Sequence, residues 1–224
     1  MVTVNELSIE FDVLYNNITS NQAPGLNGYE KSVFLTKAQS QLISEYFNAR
    51  IDSSNGGFDN TQKRQYDFSS IITHRTLSQI SPNNRFDPRS VSYNLPSDWM
   101  FTLNEQLSVQ ADADSNEELF AIMPVSFDEY NRLMAKPFKF PAKKQAWRLI
   151  TDTGKVVELI GKIGNKTLQD VNSITYRIRY VKTPSPIILE DLTNYGEDIR
   201  IQGQNAPSTL DLPDEFYREI LEIV

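Results

Sequence analysis

Cysteine is absent from this 224-residue sequence, and histidine occurs once, as His74. The lack of cysteine excludes disulfides, thiolate metal sites and cysteine nucleophiles, and it suits assembly in a reducing cytoplasm. One histidine without cysteine also excludes an ordinary zinc site, which takes several such ligands. No apolar run reaches the roughly 18 residues that a membrane-spanning helix needs. The N-terminus lacks a basic flank before an apolar stretch, so we predict no secretory signal.

The motifs of common enzyme sites are missing as well. There is no G-x-S-x-G around a serine and no glycine pattern of the phosphate-binding type. Residues 112–116 begin like a calcium loop, but Glu117 and Met123 stand where that loop needs glycine and glutamate. We therefore predict no catalytic residue, no metal site and no cofactor, in a protein that is not an enzyme.

Charge is distributed unevenly along the chain. The net charge of −7 argues against a dedicated duplex-binding protein, which needs clustered lysine and arginine. Residues 91–130 hold eight acidic and no basic side chains, residues 131–182 hold twelve basic against three acidic, and residues 183–224 hold nine acidic against two basic. Blocks of opposite sign permit the acidic patch of one subunit to meet the basic patch of the next. They are equally compatible with faces that touch only water or that pair within one subunit.

Helical patterns stand at the two ends of the chain. Apolar spacing predicts a first helix that begins with a capping box of Thr3 and Glu6. A second helix is predicted over residues 28–49, after a Pro-Gly break, so that the two form a helical hairpin. Residues 212–224 predict a terminal helix with proline in its first turn. We expect this helix to dock onto the hairpin and to continue past the last residue in the native chain.

Strand patterns occupy the middle of the chain. Residues 173–181 alternate apolar and polar side chains, and residues 146–151 and 155–160 flank Asp152-Thr153-Gly154, which is typical of a β-hairpin. Further strands are predicted over residues 100–109 and 120–125, with a short helix over 127–135 that Ser126 caps.

These elements predict an α+β fold. In it the N-terminal helical hairpin and the C-terminal helix form a helical body with a central antiparallel β section. We expect one structural unit in three parts: the hairpin and its loop over 1–62, a β-rich section over 63–190, and a loop with the start of the terminal helix over 191–224.

Aromatic and basic residues interleave between Lys136 and Arg148. Aromatic rings stack on bases and lysines bind phosphates, so contact with nucleic acid is one interpretation of Phe138, Phe140 and Trp147 with their neighbouring lysines. Two prolines interrupt the stretch, which favours an extended arm that packs its aromatics on the sheet. A contact with a protein partner is the third interpretation.

Several long strings resemble one family. They are ELSIEFDVLYNNITSNQAPGLNGYEKSVFLTKAQSQLISEYFN, SYNLPSDWMFTLNEQLSV, MPVSFDEYNRLMAKPFKFPAKKQAWRL, ITYRIRYVKTPSPIIL and LDLPDEFYREILEIV. In this order they resemble the head-to-tail connector proteins, adaptors or rings, of crAss-like tailed bacteriophages. The Leu-Pro-x-x-Phe entry into the last helix is also similar to head-completion and tail-adaptor proteins of short-tailed phages.

The resemblance implies a structural subunit of a ring below the portal, which joins capsid to tail and forms part of the DNA channel, with the portal's twelvefold symmetry. Its implied partners are copies of itself, the portal, other ring or tail proteins, and duplex DNA that passes without sequence recognition. No membrane partner is implied. The implied location is the neck or tail of the virion, assembled in the cytoplasm of the bacterial host.

Six residues are our candidates for contact surfaces. We expect Phe138, Phe140 and Trp147 to form a contact arm, and we expect interface or core anchors at Phe216, Tyr217 and Ile220. An alternative function is a tail component that binds a host-surface glycan, with the aromatics of residues 138–147 as a platform for the sugar.

Overall fold

The computed structural model describes residues 3–18, 24–47, 66, 68–81, 85–136, 140–151, 155–208 and 210–223. The chain divides into two compact units, Met1–Ile72 with Thr183–Val224, and Thr73–Lys182. We call them the helical unit and the sheet unit.

Local capping signals define the helices of the helical unit. The described helices are α1 (Val4–Ile18), α2 (Gly28–Phe47) and α4 (Asp214–Ile223), with a short 3₁₀ turn at Leu192–Asn194. The predicted capping box at α1 is confirmed, because the Thr3 amide donates to Glu6 Oε2 over 2.7 Å and the Glu6 amide donates back to Thr3 Oγ1 over 3.2 Å. Asn27 and Glu30 form the same reciprocal pair at α2, with distances of 2.8 and 3.0 Å. The helices predicted at the two ends of the chain are therefore confirmed.

The terminal helix α4 docks onto the hairpin, as expected. The Phe216 ring lies 5.6 Å from the Tyr46 ring of α2 and 4.6 Å from the Phe68 ring, measured between centroids. The Tyr46 hydroxyl donates to Glu219 of α4 over 2.8 Å. Leu7 on α1 is fully buried as well. Helices this short are marginal alone, so packing accounts for most of their stability.

Two buried hydroxyls of α2 bind the segment of residues 183–190. Thr36 Oγ1 accepts from the Ile187 amide over 3.1 Å, and Ser32 Oγ accepts from the Leu189 amide over 3.0 Å. These bonds satisfy backbone groups that would otherwise be buried without a partner.

The described residues of the sheet unit form nine strands and one helix. The strands are β1 (Ile72–Leu77), β2 (Gln79–Ile80), β3 (Val91–Asn94), β4 (Trp99–Gln110), β5 (Glu118–Pro124), β6 (Gln145–Ile150), β7 (Val156–Ile163), β8 (Lys166–Thr167) and β9 (Ser173–Lys182), and the helix is α3 (Phe127–Met134). Their order in the sheet is β1-β9-β4-β5-β6-β7-β3-β2, with β8 on β7. The first and last strands of this order are separated in sequence by Ser78 alone, and the sheet curls into a nearly closed barrel.

The predicted fold class is wrong in its main feature. The dominant structure is the barrel-like sheet, and the helices do not form a helical body with the sheet as its central section. The sheet is also not purely antiparallel, because β5 and β6 run parallel. Helix signals are local in sequence, whereas this sheet depends on pairings between distant segments such as Leu107 with Tyr176. The local sequence patterns do not indicate which distant segments pair.

Individual elements of the sheet unit agree well with the sequence. The strands on either side of residues 152–154 pair antiparallel, with Leu149 opposite Glu158, although the turn itself lies outside the described residues. Ser126 caps α3 by accepting from the Glu129 amide over 3.2 Å. The loop expected after α2 also lies outside the described residues.

Two layers of side chains pack the sheet unit. The barrel interior is filled by alternate residues of the strands, among them Val91, Leu107, Val109, Leu159, Tyr176 and Ile178. On the outer surface, α3 covers β6 and β7 through a second cluster of Tyr130, Trp147, Leu149 and Ile160.

Candidate interaction surfaces and buried polar sites

The described residues contain no group of three or more metal-ligating side chains that could hold a metal ion. Over the same ranges, none of the helices has the length and apolar character that crossing a membrane requires. His74 lies exposed on β1. In the calcium-like loop, the Lys166 ammonium is 2.5 Å from Asp112 Oδ1, so a fixed cation already neutralises that carboxylate.

Glu158 of β7 is the most deeply buried carboxylate of the sheet unit that we describe, with an exposed fraction of 0%. The Phe86 amide donates to its two oxygens over 2.9 and 3.1 Å, and the Asp87 amide donates over 3.3 Å. The Ser90 hydroxyl lies 2.7 Å from Glu158 Oε2 and 2.7 Å from the Asp87 carbonyl, with one proton for the two acceptors. Glu158 therefore fixes the loop between β2 and β3 onto the barrel.

Asp87, in that loop, is 1% exposed and is held by two side chains. Arg89 donates to it through Nε over 3.0 Å and through a terminal nitrogen over 2.8 Å, and the Tyr130 hydroxyl donates over 2.5 Å. Burial alone would raise the pKa of Asp87, but the hydrogen bonds from Arg89 and Tyr130 outweigh it and hold this pKa below its ordinary value. Burial, with the bond to Asp87, raises the pKa of Tyr130 to about 12.

A perturbed carboxylate in a cleft is a common mark of an active site, but structural ion-pair networks perturb pKa values in the same way. Asp87 belongs to the second kind, because donors of the protein itself occupy its oxygens. The oxygens of Glu158 are likewise occupied by donors of the protein. Sequence reasoning missed both residues. The available signal was a glutamate inside the otherwise largely apolar run VVELIGKI of β7, since a lone charge in such a run must find buried donors.

A second buried polar cluster lies inside the barrel. Arg148 and Glu105 form an ion pair of 2.8 Å, and their side chains are 16% and 12% exposed. The Tyr176 hydroxyl donates to Glu105, and burial followed by the Glu105 charge raises the pKa of Tyr176. The Tyr93 ring lies 5.1 Å from that of Tyr176, and burial raises the pKa of Tyr93 to about 12. The cluster links β3, β4, β6 and β9 across the interior.

The acidic and basic sequence blocks lie side by side in one sheet. Among the described residues, four ion pairs join block 91–130 to block 131–182: Glu105–Arg148, Glu118–Lys144 at 3.4 Å, Asp112–Lys166, and Glu129–Arg132 at 3.7 Å within α3. These ion pairs agree with the interpretation in which the acidic and basic blocks pair within one subunit.

The net charge, in contrast, differs between the helical unit and the sheet unit. The helical unit carries 17 acidic against 7 basic residues, and the sheet unit carries 12 acidic against 15 basic residues. The two units of the chain therefore carry net charges of opposite sign.

The predicted contact arm is mostly covered. Trp147 is 6% exposed and packs against Tyr130 and Leu149. The half-buried Phe140 ring lies 4.9 Å from the Arg89 guanidinium and 5.7 Å from the Lys162 ammonium, within the range of cation–π contacts. Phe138 lies outside the described residues. The two described rings therefore pack on the sheet unit.

The predicted anchors of the terminal helix lie in the core of the helical unit. Phe216, Tyr217 and Ile220 are 5%, 1% and 0% exposed. The Tyr217 hydroxyl accepts from the Leu212 amide over 3.0 Å, and burial raises the pKa of Tyr217 to about 12. An interface role for these residues stays a prediction.

Comparison with known proteins gives consistent matches over nearly the whole chain. Residues 2–224 match the family described as phage tail ring protein 3/4. The chain is 42% identical over 225 residues to "Ring protein 4/5" of Bacteroides phage crAss001, which covers 99% of this chain and 90% of that protein. It is 29% identical over 224 residues to "Ring protein 3" of the same phage, which covers 99% of this chain and 92% of that protein.

Proposed function

The chain belongs to the phage tail ring protein 3/4 family, and we propose that it is a structural, non-enzymatic subunit of a ring below the portal. In this role it joins the capsid to the tail and forms part of the DNA channel. The observation that carries the proposal is the family match over residues 2–224, together with two relatives named as ring proteins.

The buried polar groups support a structural role. Asp87, Glu105 and Glu158 are the carboxylates most removed from water that we describe in the sheet unit, and each is bound by donors of the same chain. Such groups specify one arrangement of loops and strands, since an unpaired buried charge would cost several kcal/mol, on the order of 3 to 5. Glu158 and Asp87 fix the loop between β2 and β3, and Glu105 joins β4 to β6 inside the barrel.

The proposed partners follow from a ring. They are neighbouring copies of the chain, the portal, other ring or tail proteins, and duplex DNA that passes without sequence recognition. The net charge of −7 suits a channel, because like charge keeps DNA from adhering. Contacts between unlike surfaces close into a ring only at the right rotation per subunit, and the twelvefold portal would supply that template.

The proposed location is the neck or tail of the virion, after assembly in the host cytoplasm.

A phage with a conditional defect in this chain tests the proposed role as a ring subunit. We expect DNA-filled heads without tails under the restrictive condition. Complete, infectious virions that lack the chain would contradict the proposal.

We retain the contact arm as part of this proposal, through Phe140, whose ring is half-buried. Phe140→Ala should lower incorporation into particles and leave the chain folded. Trp147→Ala is the matched control, because removing a buried ring should destabilise the fold itself. Equal incorporation of Phe140→Ala and unmodified chains would end the proposal of an arm.

Binding of a host glycan gains no support from the geometry. A sugar platform needs open aromatic faces, whereas Trp147 is buried and Phe140 lies beneath Arg89 and Lys162. We therefore propose the ring role alone.

A further inference from the structure

The face formed by β1, β9 and β4 carries a concentrated positive surface. A shallow cavity of about 440 Å³ lies on it. Its lining includes His74, Arg75, Asn104, Gln106, Arg177 and Arg179. We call this set the arginine face.

Strand alternation explains why Arg177 and Arg179 share a surface. Tyr176 and Ile178 of β9 are buried in the barrel core, so Arg177 and Arg179 project from the opposite face. In the register of β4 and β9, Arg177 stands opposite Gln106 and Arg179 opposite Asn104. Two arginines and two amides thus form a group of neighbouring hydrogen-bond donors on the outer face of the sheet.

The carboxylate in the lining does not neutralise this face. That carboxylate, Glu105, is already bound to Arg148 and Tyr176 on the interior side. Arg177 is exposed and directs its positive charge outward. Guanidinium groups match carboxylates in geometry, because their paired donors engage both oxygens.

The helical unit has a segment of the complementary charge. Residues Glu190–Asp198 contain four carboxylates and no basic residue. The Tyr195 hydroxyl donates to Glu190 over 2.6 Å and accepts from the Gly28 amide over 3.2 Å, which anchors the loop to the start of α2. Glu197 and Asp198 are exposed. We call this segment the acidic loop.

We propose that the arginine face of one copy binds the acidic loop of the next copy around the ring. The inference rests on the proposed function. A ring of identical subunits needs two different, mutually complementary patches on each chain, and these patches lie on units of opposite net charge. The partner is thus a second copy of this chain.

Cross-linking in virions tests the contact directly, because the chain has no cysteine of its own. Arg177→Cys and Asp198→Cys are introduced together, and purified particles are treated with a short bismaleimide. We expect a ladder of covalent multimers from the double variant and only monomers from each single variant. Arg132→Cys with Asp198→Cys is the matched control, since Arg132 is an exposed basic residue on α3 outside the arginine face, and it should give monomers.

A charge exchange gives a second readout. Arg177→Glu should lower incorporation at least tenfold, and adding Asp198→Arg in the same chain should restore it. Failure of the exchange to restore incorporation would count against the contact, as would equal ladders from the control pair.

The possible failures are distinguishable. Virions that contain the chain at ring stoichiometry but yield no ladder would overturn this inference and leave the proposed function standing. Virions without the chain would overturn the proposed function. If the unmodified protein bound duplex DNA at physiological salt, and Arg177→Glu abolished that binding, the arginine face would be a DNA-binding surface and the inference would be wrong.

Discussion

The hydroxyl of Tyr130 offers a clean test of the buried polar network. Tyr130→Phe keeps the ring, which packs 5.1 Å from Phe86 and 6.4 Å from Trp147, and removes only the donor to Asp87. Hydrogen bonds to charged groups contribute roughly 1.5–3 kcal/mol. Because Asp87 keeps its bonds from Arg89, the loss is confined to one such bond. We expect the free energy of unfolding to fall by about 1.5–3 kcal/mol.

Tyr93→Phe is the matched control with the opposite expectation. Tyr93 is 1% exposed, and its hydroxyl has no hydrogen-bond partner among the residues that the structure describes. Removing a buried, unsatisfied hydroxyl should be neutral or stabilising, by up to about 2 kcal/mol.

Guanidinium unfolding followed by tryptophan fluorescence measures both variants. Trp99 and Trp147 are the two tryptophans of the chain and lie in the sheet unit, so the signal reports that unit. The two variants must also differ in their pH dependence. The cost of Tyr130→Phe should be largest above pH 3.8, the ordinary pKa of Asp87, and should shrink as pH falls through the lowered folded pKa. The reasoning is refuted if Tyr130→Phe changes stability by less than about 0.5 kcal/mol, or if Tyr93→Phe is the more destabilised variant.

Three further predictions concern pH and the helical core. Because the pKa of Asp87 is lowered on folding, its contribution to stability is present above pH 3.8 and is lost as pH falls, so Asp87→Asn should be less stable at neutral pH and less sensitive to acid in unfolding experiments. Folding raises the pKa of Tyr217 to about 12, so stability should decline between pH 10 and about 12. Tyr93 and Tyr130 have pKa values raised to about 12 as well, so the late ionisation seen in absorbance at alkaline pH should decrease by the contribution of one tyrosine in Tyr217→Phe. Phe216→Ala should cost about 3–5 kcal/mol through the cavity it leaves, measured by far-ultraviolet circular dichroism during thermal unfolding, whereas a loss below about 1 kcal/mol would place Phe216 outside the core.

Features that depend on a few neighbouring residues were predictable from the sequence. The reciprocal pair of Thr3 and Glu6 and the cap at Ser126 follow from spacing alone, and both are present. Asn27 and Glu30 have the same spacing, so this second reciprocal pair was equally predictable from the sequence. Alternation in residues 173–181 likewise identified strand β9 and its buried side.

Features that depend on distant residues were not predictable. The parallel pairing of β5 with β6 places Met123 beside Trp147, with α3 between the strands in sequence. The short strands β1 and β2 have weak sequence patterns, yet they are the first and the last strand in the order of the sheet. The strong helix signals at the two ends of the chain therefore led to a predicted fold in which the helices were too prominent.

The candidate surfaces show the same limit. Charge counted in sequence blocks suggested contacts between subunits, but strand pairing brings Glu105 to Arg148 within the barrel. The arginine face arises only when β1, β4 and β9 come together. Aromatic residues at 140 and 147 were noticed for their composition, whereas their burial depends on how α3 and the sheet enclose them.

Cryo-microscopy of intact virions is the measurement that tests the central claim most directly. The account predicts density for the nine-stranded sheet unit repeated in a ring around the channel beneath the portal. Particles in which this fold is absent, or occurs only as isolated copies away from the channel, would contradict it.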